Sequence, residues 1–100
     1  MTFVFSEPAK LFTDRLTILK KSNPQIVKKL KKFIEFKEKG EQLPNSYKDH
    51  SISGDLLGCS ECHLSGNILL VYKTKNNIIK LLAICNHDEL YNLSKKIDIG

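Results

Sequence analysis

The run ILLVYKTKNNIIKLLAI, residues 68–84, determines the architecture that the sequence predicts. Its two halves, residues 68–74 and 78–84, are rich in the aliphatic and β-branched residues that strands prefer. Because only residues 75–77 separate them, the two strands must form an antiparallel hairpin. The first half opens with five apolar residues in a row, which is typical of a central strand that is covered on both faces.

A further strand-like run, residues 57–64, lies upstream and is separated from this hairpin by the turn-forming residues Ser65, Gly66 and Asn67. This connection is also too short for anything but antiparallel pairing. The three runs therefore predict an antiparallel β-meander. After the meander, residues 87–93 are expected to form one helical turn or an extended tail.

The N-terminal half has the pattern of a strand followed by two helices. Residues 2–5 predict a short strand, and Ser6 is suited to cap a helix that ends near Ser22. Pro24, preceded by asparagine, is favoured at the start of a second helix, and Gly40 is suited to end it. Both helices carry apolar residues at helical spacing, and their short connection makes them antiparallel neighbours.

These elements predict a single α+β domain over residues 1–100: an N-terminal strand, an antiparallel helical hairpin, then an antiparallel β-meander with the helices packed on one face of the sheet. The polar, turn-forming residues 41–55 are expected to be a surface loop. A chain of 100 residues with 41% hydrophobic residues and no Trp suits one small core. No apolar run approaches the roughly 18 residues of a membrane span, and the start lacks the features of a signal peptide, so a cytoplasmic location is expected.

The net charge of +5 is unevenly distributed along the chain. Residues 1–50 contain 11 Lys and Arg against 6 Asp and Glu, a difference of +5, whereas residues 51–100 contain 5 of each kind. Such a basic half is typical of a protein that binds a polyanion, nucleic acid being the commonest, although a solvated helix face has the same composition.

Cys59, Cys62 and His63 spell C-x-x-C-H, the pattern that attaches c-type haem. Side chains alternate along a strand, so the two thiols are expected on opposite faces of the sheet and could not both reach one cofactor. The chain also offers no methionine as a second axial ligand except Met1. The pattern therefore does not indicate a haem protein.

A zinc site is the alternative that the same residues leave open. It requires the C-x-x-C pair to lie on a tight turn rather than within a strand. Buried cysteine is common as a small hydrophobic residue, and this interpretation is favoured for Cys62 and Cys85. We therefore expect a protein without a metal or other cofactor. The alternative is a small zinc-binding module, with ligands drawn from Cys59 or Cys62, His63, Cys85 and His87.

Histidines and a carboxylate gather on and around the predicted meander. Histidine titrates near neutral pH and serves as a general acid or base. Together with a basic surface, this composition fits a metal-independent ribonuclease, in which the RNA 2′-hydroxyl attacks the adjacent 3′-phosphate. The candidate catalytic residues are His50, Glu61, His63, Asn67, His87 and Tyr91.

The run KDHSISGDLLGCSECHLSGNILLVYK, residues 48–73, followed by CNHDELY, residues 85–91, resembles the YafQ branch of the RelE-type mRNA interferase toxins. Members of that branch show the order H-x-L-x-G-x-W-K-G, a short D-x-H, an acidic residue, L-L-I-Y-K and an S-H-x-x-L-F ending. The predicted strand, helical hairpin and meander match the RelE-like fold. The resemblance therefore covers essentially the whole chain. In the N-terminal half it consists only of the matching pattern of one strand and two helices.

The resemblance implies the toxin of a type II toxin–antitoxin system: a ribosome-dependent endoribonuclease, or mRNA interferase, that cuts mRNA in the ribosomal A site. Its implied partners are a cognate antitoxin, the ribosome and mRNA. The three histidines match family histidines implicated in catalysis, with His87 expected as the general acid and His50 or His63 as the base.

The other candidate residues take implied roles as well. Glu61 and Asn67 stand where acidic residues are usual, and Tyr91 stands for an aromatic side chain that stacks on or orients a base. The residues expected to bind RNA or the ribosome are Lys28, Lys29, Lys31, Lys32, Lys73 and Lys80.

The chain departs from the family pattern in its positive charges. Members usually carry Arg or Lys where this sequence has Leu57, Ser60 and Ala83. Lys73 and Lys80 are expected to take over the contact with phosphate, although an ammonium group lacks the bidentate geometry of a guanidinium. A weakly active enzyme or a non-catalytic relative that binds RNA or the ribosome is the alternative that follows.

Overall fold

The computed structural model describes residues 2–52 and 58–90 of the chain. Two helices, α1 (Lys10–Ser22) and α2 (Pro24–Lys39), lie between the first strand and the others, and a one-turn helix, α3 (His87–Leu90), follows the last strand. The strands are β1 (Val4–Phe5), β2 (His50–Ser51), β3 (Cys59–Ser65), β4 (Ile68–Lys75) and β5 (Ile78–Cys85). None of the helices in these residues is long and apolar enough to cross a membrane.

The five strands form one sheet in the order β1-β5-β4-β3-β2. β1 runs parallel to β5, and the other neighbours are antiparallel, so the predicted meander of β3, β4 and β5 is confirmed. β4 lies in the centre of the sheet, and its residues Leu69, Leu70, Val71 and Tyr72 are buried, as expected for a strand that is covered on both faces.

The main core lies between the sheet and the two long helices. Ile26, Leu30 and Phe33 form the buried stripe of α2, and the Phe33 ring meets the Tyr72 ring of β4 edge to face at a centroid distance of 5.1 Å. Phe12 of α1 joins the same cluster. The amphipathic pattern of both helices therefore places them on one face of the sheet, as predicted.

The opposite face of the sheet, here called the outer face, has a smaller apolar cluster. Pairing partners in a sheet point to the same side, so the register assigns side chains to this face. Ala9, Ile52 and Leu90 pack against its apolar part. The outer face carries His50, Cys59, Glu61, His63, Leu69, Val71, Lys73, Lys80, Ala83 and Cys85.

The predicted capping of α1 by Ser6 is wrong. The helix begins at Lys10 with Ala9 as its N-cap, and the preceding residues remain extended along the edge of β5. The Ser6 amide donates to the Ile79 carbonyl at 3.0 Å, and the Ala9 amide donates to the Leu81 carbonyl at 2.9 Å. Pairing with the sheet therefore satisfies these backbone groups before a helix can start. α2 follows the prediction, with Pro24 at its first turn and Gly40 in the left-handed conformation, φ 72°, at its end.

The prediction of a featureless loop over residues 41–55 is also wrong in part. A 3-10 turn, Asn45–Tyr47, buries the Tyr47 ring against α2, and its hydroxyl donates to the Lys29 carbonyl at 3.2 Å. β2 then pairs with β3, with His50 opposite Glu61. These two residues are too few to show strand periodicity in the sequence. The predicted start of β3 at residue 57 lies outside the described residues.

The two cysteines of the C-x-x-C-H pattern lie on opposite faces, as strand alternation predicts. Cys59 belongs to the outer-face cluster and Cys62 to the core under the helices. Cys62 is fully buried, and burial raises the pKa of its thiol from 9.0 to about 12. It is a structural residue of the core.

We expect the free energy of unfolding to fall between about pH 9 and pH 12, because the buried Cys62 thiol stays neutral while the thiol of the unfolded chain ionises. The unfolded state then holds fewer protons, so stability is fully present below pH 9 and decreases by about 1.4 kcal/mol per pH unit and thiol. Urea unfolding across this range measures the slope. Cys62→Ala should reduce the slope by about 1.4 kcal/mol per pH unit, which corresponds to one proton. An unchanged slope would contradict this prediction.

Candidate active site

One row of side chains crosses the outer face from β2 to β5. His50 pairs with Glu61, Glu61 with Val71, and Val71 with Ala83. Val71 and Ala83 are apolar and buried, so the polar groups of this row lie at the β2 edge of the sheet. The row therefore places one imidazole and one carboxylate side by side, next to two buried apolar side chains.

His50 and Glu61 form an ion pair or hydrogen-bonded pair at this edge. Nε2 of His50 lies 2.9 Å from Oε1 of Glu61, and Nδ1 lies 2.7 Å from the carbonyl oxygen of Lys48. A carbonyl oxygen only accepts, so Nδ1 must carry a hydrogen and donate it. Nε2, beside the Glu61 carboxylate, is then the ring nitrogen that can accept a proton.

The two members of the pair differ in exposure. The Glu61 side chain is 8% exposed, whereas that of His50 is 54% exposed. A buried carboxylate needs a partner to offset its loss of hydration, and His50 supplies it. The imidazole is the member that a bound molecule can touch.

A second set of contacts fixes β2 from the other side of the sheet. Asp49, which precedes His50, accepts a hydrogen bond from the Tyr72 hydroxyl, and its second oxygen lies 3.9 Å from Nζ of Lys37. Lys37 in turn lies over the rings of Phe3, Phe33 and Tyr72 at 5.4 to 5.8 Å from their centroids. The side chains of Asp49 and His50 therefore point to opposite faces of the sheet, and Asp49 holds the backbone that presents His50.

His63 and Asn67 lie toward the other end of β3. His63 is half-buried on the outer face, two residues beyond Glu61, or about 7 Å along the strand. Asn67 is exposed in the turn between β3 and β4, next to Gly66, whose φ is 50°. The structure brings His63 onto the face of the His50–Glu61 pair, and it places Asn67 several residues from that pair.

His87 is the first residue of α3 and is separated from the end of β5 by Asn86, and Tyr91 lies outside the described residues. The start of α3 is held by a reciprocal cap: the Glu89 amide donates to the Asn86 side chain at 2.7 Å, and the Asn86 amide donates to Oε1 of Glu89 at 3.1 Å. Arg15 of α1 binds the other Glu89 oxygen. The N-x-x-E spacing of residues 86–89 is a capping signal from which this anchor could have been predicted.

The lysines predicted to bind RNA separate into two sets. Lys73 and Lys80 lie opposite each other on β4 and β5 and point to the outer face, one row from Glu61. The others belong to the helix layer on the far side of the sheet, where Nζ of Lys29 sits 4.7 Å from the centre of the Tyr47 ring. That second set consists of Lys28, Lys29, Lys31 and Lys32.

A zinc site that uses both cysteines of the C-x-x-C-H pattern does not fit this geometry. Cys59 and Cys62 are separated by the thickness of the sheet, since they belong to different apolar clusters. Within residues 2–52 and 58–90, no group of three or more His, Cys, Asp or Glu side chains is placed to hold a metal ion.

The chain is similar to known toxins in sequence and in fold. Residues 6–92 match the family model described as the bacterial toxin of type II toxin–antitoxin systems, YafQ. A relative from Haemophilus influenzae, which is named as a YafQ toxin, is 39% identical over 31 residues. These residues span 31% of this chain and 30% of that relative.

Two crystal structures extend the comparison over the length of the chain. A metal-bound toxin from Helicobacter pylori is 35% identical, with a TM-score of 0.75 over 90% of this chain and 99% of that one. The DinJ–YafQ complex of E. coli contains a chain that is 20% identical, with a TM-score of 0.75 over 90% and 99%. The RelE-like α+β fold expected from the sequence is thereby confirmed. The chain belongs to the YafQ family of bacterial toxins of type II toxin–antitoxin systems.

Proposed function

We propose that the protein is a ribosome-dependent endoribonuclease, an mRNA interferase that cuts mRNA in the ribosomal A site. The observation that carries this proposal is the His50–Glu61 pair on the outer face, one row from the opposed lysines Lys73 and Lys80. RNA cleavage by attack of the 2′-oxygen on the adjacent phosphate needs groups that transfer protons and positive charge near the phosphate. Membership of the toxin family makes RNA a fitting substrate.

The first step assigned to this site is removal of the 2′-hydroxyl proton. The His50–Glu61 pair accepts it while the 2′-oxygen forms a bond to the adjacent phosphorus. The exposed imidazole is the group that approaches the ribose, and the buried carboxylate balances the charge of the imidazolium that forms. His63, on the same face, is the alternative base.

The second step is departure of the 5′-oxygen as its bond to phosphorus breaks. We assign its protonation to His87, at the start of α3. The products are a 2′,3′-cyclic phosphate and a free 5′-hydroxyl, so the reaction needs no water molecule and no external reactant. Asn86, Glu89 and Arg15 act as positioning residues, because they fix the helical turn that begins at His87.

Negative charge on the phosphate increases as the bonds exchange. Lys73 and Lys80 are directly opposite each other, and two ammonium groups at one row favour an anion between or above them. Their position on the outer face supports the expectation that they replace the arginines usual in the family. Tyr91 is proposed to stack on a base next to the cut, and Asn67 to contact the RNA at the β3–β4 turn.

The partners follow from the same assignment. We propose that a cognate antitoxin binds this toxin in the cytoplasm, as DinJ is bound to YafQ in the E. coli complex. The α2 lysines lie on the opposite side of the molecule from the outer face. They are thus suited to hold ribosomal RNA while mRNA occupies the catalytic face.

A non-catalytic relative that binds RNA or the ribosome is the second candidate. Buried Ala83 is the observation that favours it, because this position lies in the row of His50 and Glu61, where the family usually has a charged residue. Binding without cleavage, weakened by salt, is its expected signature.

Induced expression of the protein is expected to stop growth, and His87→Ala is expected to restore it, because the leaving oxygen then lacks its acid. Growth curves after induction, with equal protein levels shown by blotting, measure this. Asp88→Ala, an exposed change in the same helical turn, is the matched control and should remain toxic. Wild-type protein that leaves growth unaffected would contradict the proposal.

A further inference from the structure

The outer face has a third lysine that neither the family match nor the catalytic assignment uses. Lys75 pairs with Ile78 at the end of the β4–β5 hairpin, one row beyond the pair formed by Lys73 and Lys80. Residues two apart on a strand share a face, so Lys75 points to the same side as Lys73. Three ammonium groups therefore occupy two successive rows of the outer face.

The proximity of these ammonium groups lowers the stability of the folded protein. Like charges placed directly opposite each other on neighbouring strands destabilise a sheet, and Lys73 faces Lys80 in this way. An anionic ligand at these rows would relieve the repulsion.

Apolar side chains flank the lysines at the same end of the sheet. Ile78 is 44% exposed, and Val4 of β1, its parallel partner, is 56% exposed. Both are large aliphatic residues on neighbouring strands, and together they provide an apolar surface on which a ribose or a base can pack. The chemistry of the patch, cations beside an aliphatic surface, matches a nucleotide chain rather than an isolated anion.

The patch is continuous with the catalytic row. Moving along β4 from the hairpin end, the outward positions are Lys75, Lys73 and Val71, and Val71 pairs with Glu61. Successive rows lie about 7 Å apart. An extended strand that has its reacting phosphate between the His50–Glu61 pair and the Lys73–Lys80 row would carry its next phosphate over Lys75.

We infer that Lys75, with Ile78 and Val4, forms a subsite that binds the phosphodiester backbone of single-stranded RNA on one side of the cut. This inference rests on the proposed function. The exposed side chains of Lys75, Ile78 and Val4 suit a single strand, whose bases are free to contact them. A duplex would hold its 2′-oxygens in a geometry that opposes internal attack.

Binding of RNA to the His50→Gln protein, which keeps the RNA intact, tests the inference. The probe is a fluorescent single-stranded hexanucleotide with 2′-O-methyl groups and mixed sequence, followed by anisotropy at several salt concentrations. Lys75→Gln should lower the slope of log affinity against log salt by about 0.7, the share of one phosphate contact. Lys20→Gln, an exposed lysine at the end of α1, is the control and should leave the slope as it was.

Amide chemical shifts locate the bound strand. The hexanucleotide should move the signals of Lys75, Ile78 and Lys80. Shifts confined to α2, an unchanged slope in Lys75→Gln, or shifts given by an acidic peptide and not by RNA would overturn the inference. Cleavage is assayed separately with wild-type protein: binding without cleavage would contradict the proposed function alone, and cleavage with no effect of Lys75→Gln would contradict the subsite alone.

Discussion

Replacement of His50 by glutamine is expected to slow RNA cleavage by about 10²- to 10⁴-fold, the usual contribution of a general base. Glutamine keeps a polar side chain at the edge of the sheet, but it cannot take the 2′-hydroxyl proton. The buried Glu61 carboxylate also loses the imidazole whose Nε2 lies 2.9 Å from it. The rate of the chemical step is measured by single-turnover cleavage of mRNA on ribosomes that are saturated with toxin.

His63→Gln is the matched variant for this prediction. It removes an imidazole from the same face of β3, two residues from Glu61, and should change the rate less than His50→Gln does. Folding of both proteins is checked by thermal unfolding. A large loss in His63→Gln with little change in His50→Gln would transfer the role of base to His63.

Lys73→Gln is expected to lower the same rate constant by about 10²-fold, the cost of losing one preorganised charge that faces a developing oxyanion. The residue is half-buried on the outer face beside Cys59, where its ammonium has less freedom than on an open surface. Ribosome binding should fall much less, because we propose that the lysines of α2 make the contacts with ribosomal RNA. The ratio of the two effects separates a role in the transition state from general attraction.

Lys73→Arg is the informative control for the missing family arginines. Its guanidinium keeps the charge and adds bidentate geometry, so cleavage should equal or exceed that of the wild type. Equal losses in the Gln and Arg variants would show that Lys73 supports the fold and does not contact phosphate.

Much of the fold could be predicted because it depends on local signals. Pro24 and Gly40 mark the limits of α2, and the apolar run of β4 indicates a buried central strand. The start of α1 could not be predicted in the same way. Ser6 has the right chemistry for a cap, but its amide is taken by Ile79, which is more than seventy residues away in the sequence.

The site was predictable in its residue types and not in its pairing. The sequence indicates histidines and a carboxylate around the meander, but it cannot show that His50 faces Glu61. That contact depends on the register of the two-residue strand β2, which Asp49 fixes through Tyr72 on the opposite face. Long-range contacts of this kind leave no periodic pattern in a single sequence.

Primer extension tests the proposed endoribonuclease activity directly. An mRNA is incubated with programmed ribosomes and purified protein, wild type beside His50→Gln and His87→Ala. We expect cuts that require the ribosome, occur in the wild type and disappear in both variants. Folded wild-type protein that binds ribosomes without cutting, or equal cutting by the variants, would contradict this expectation.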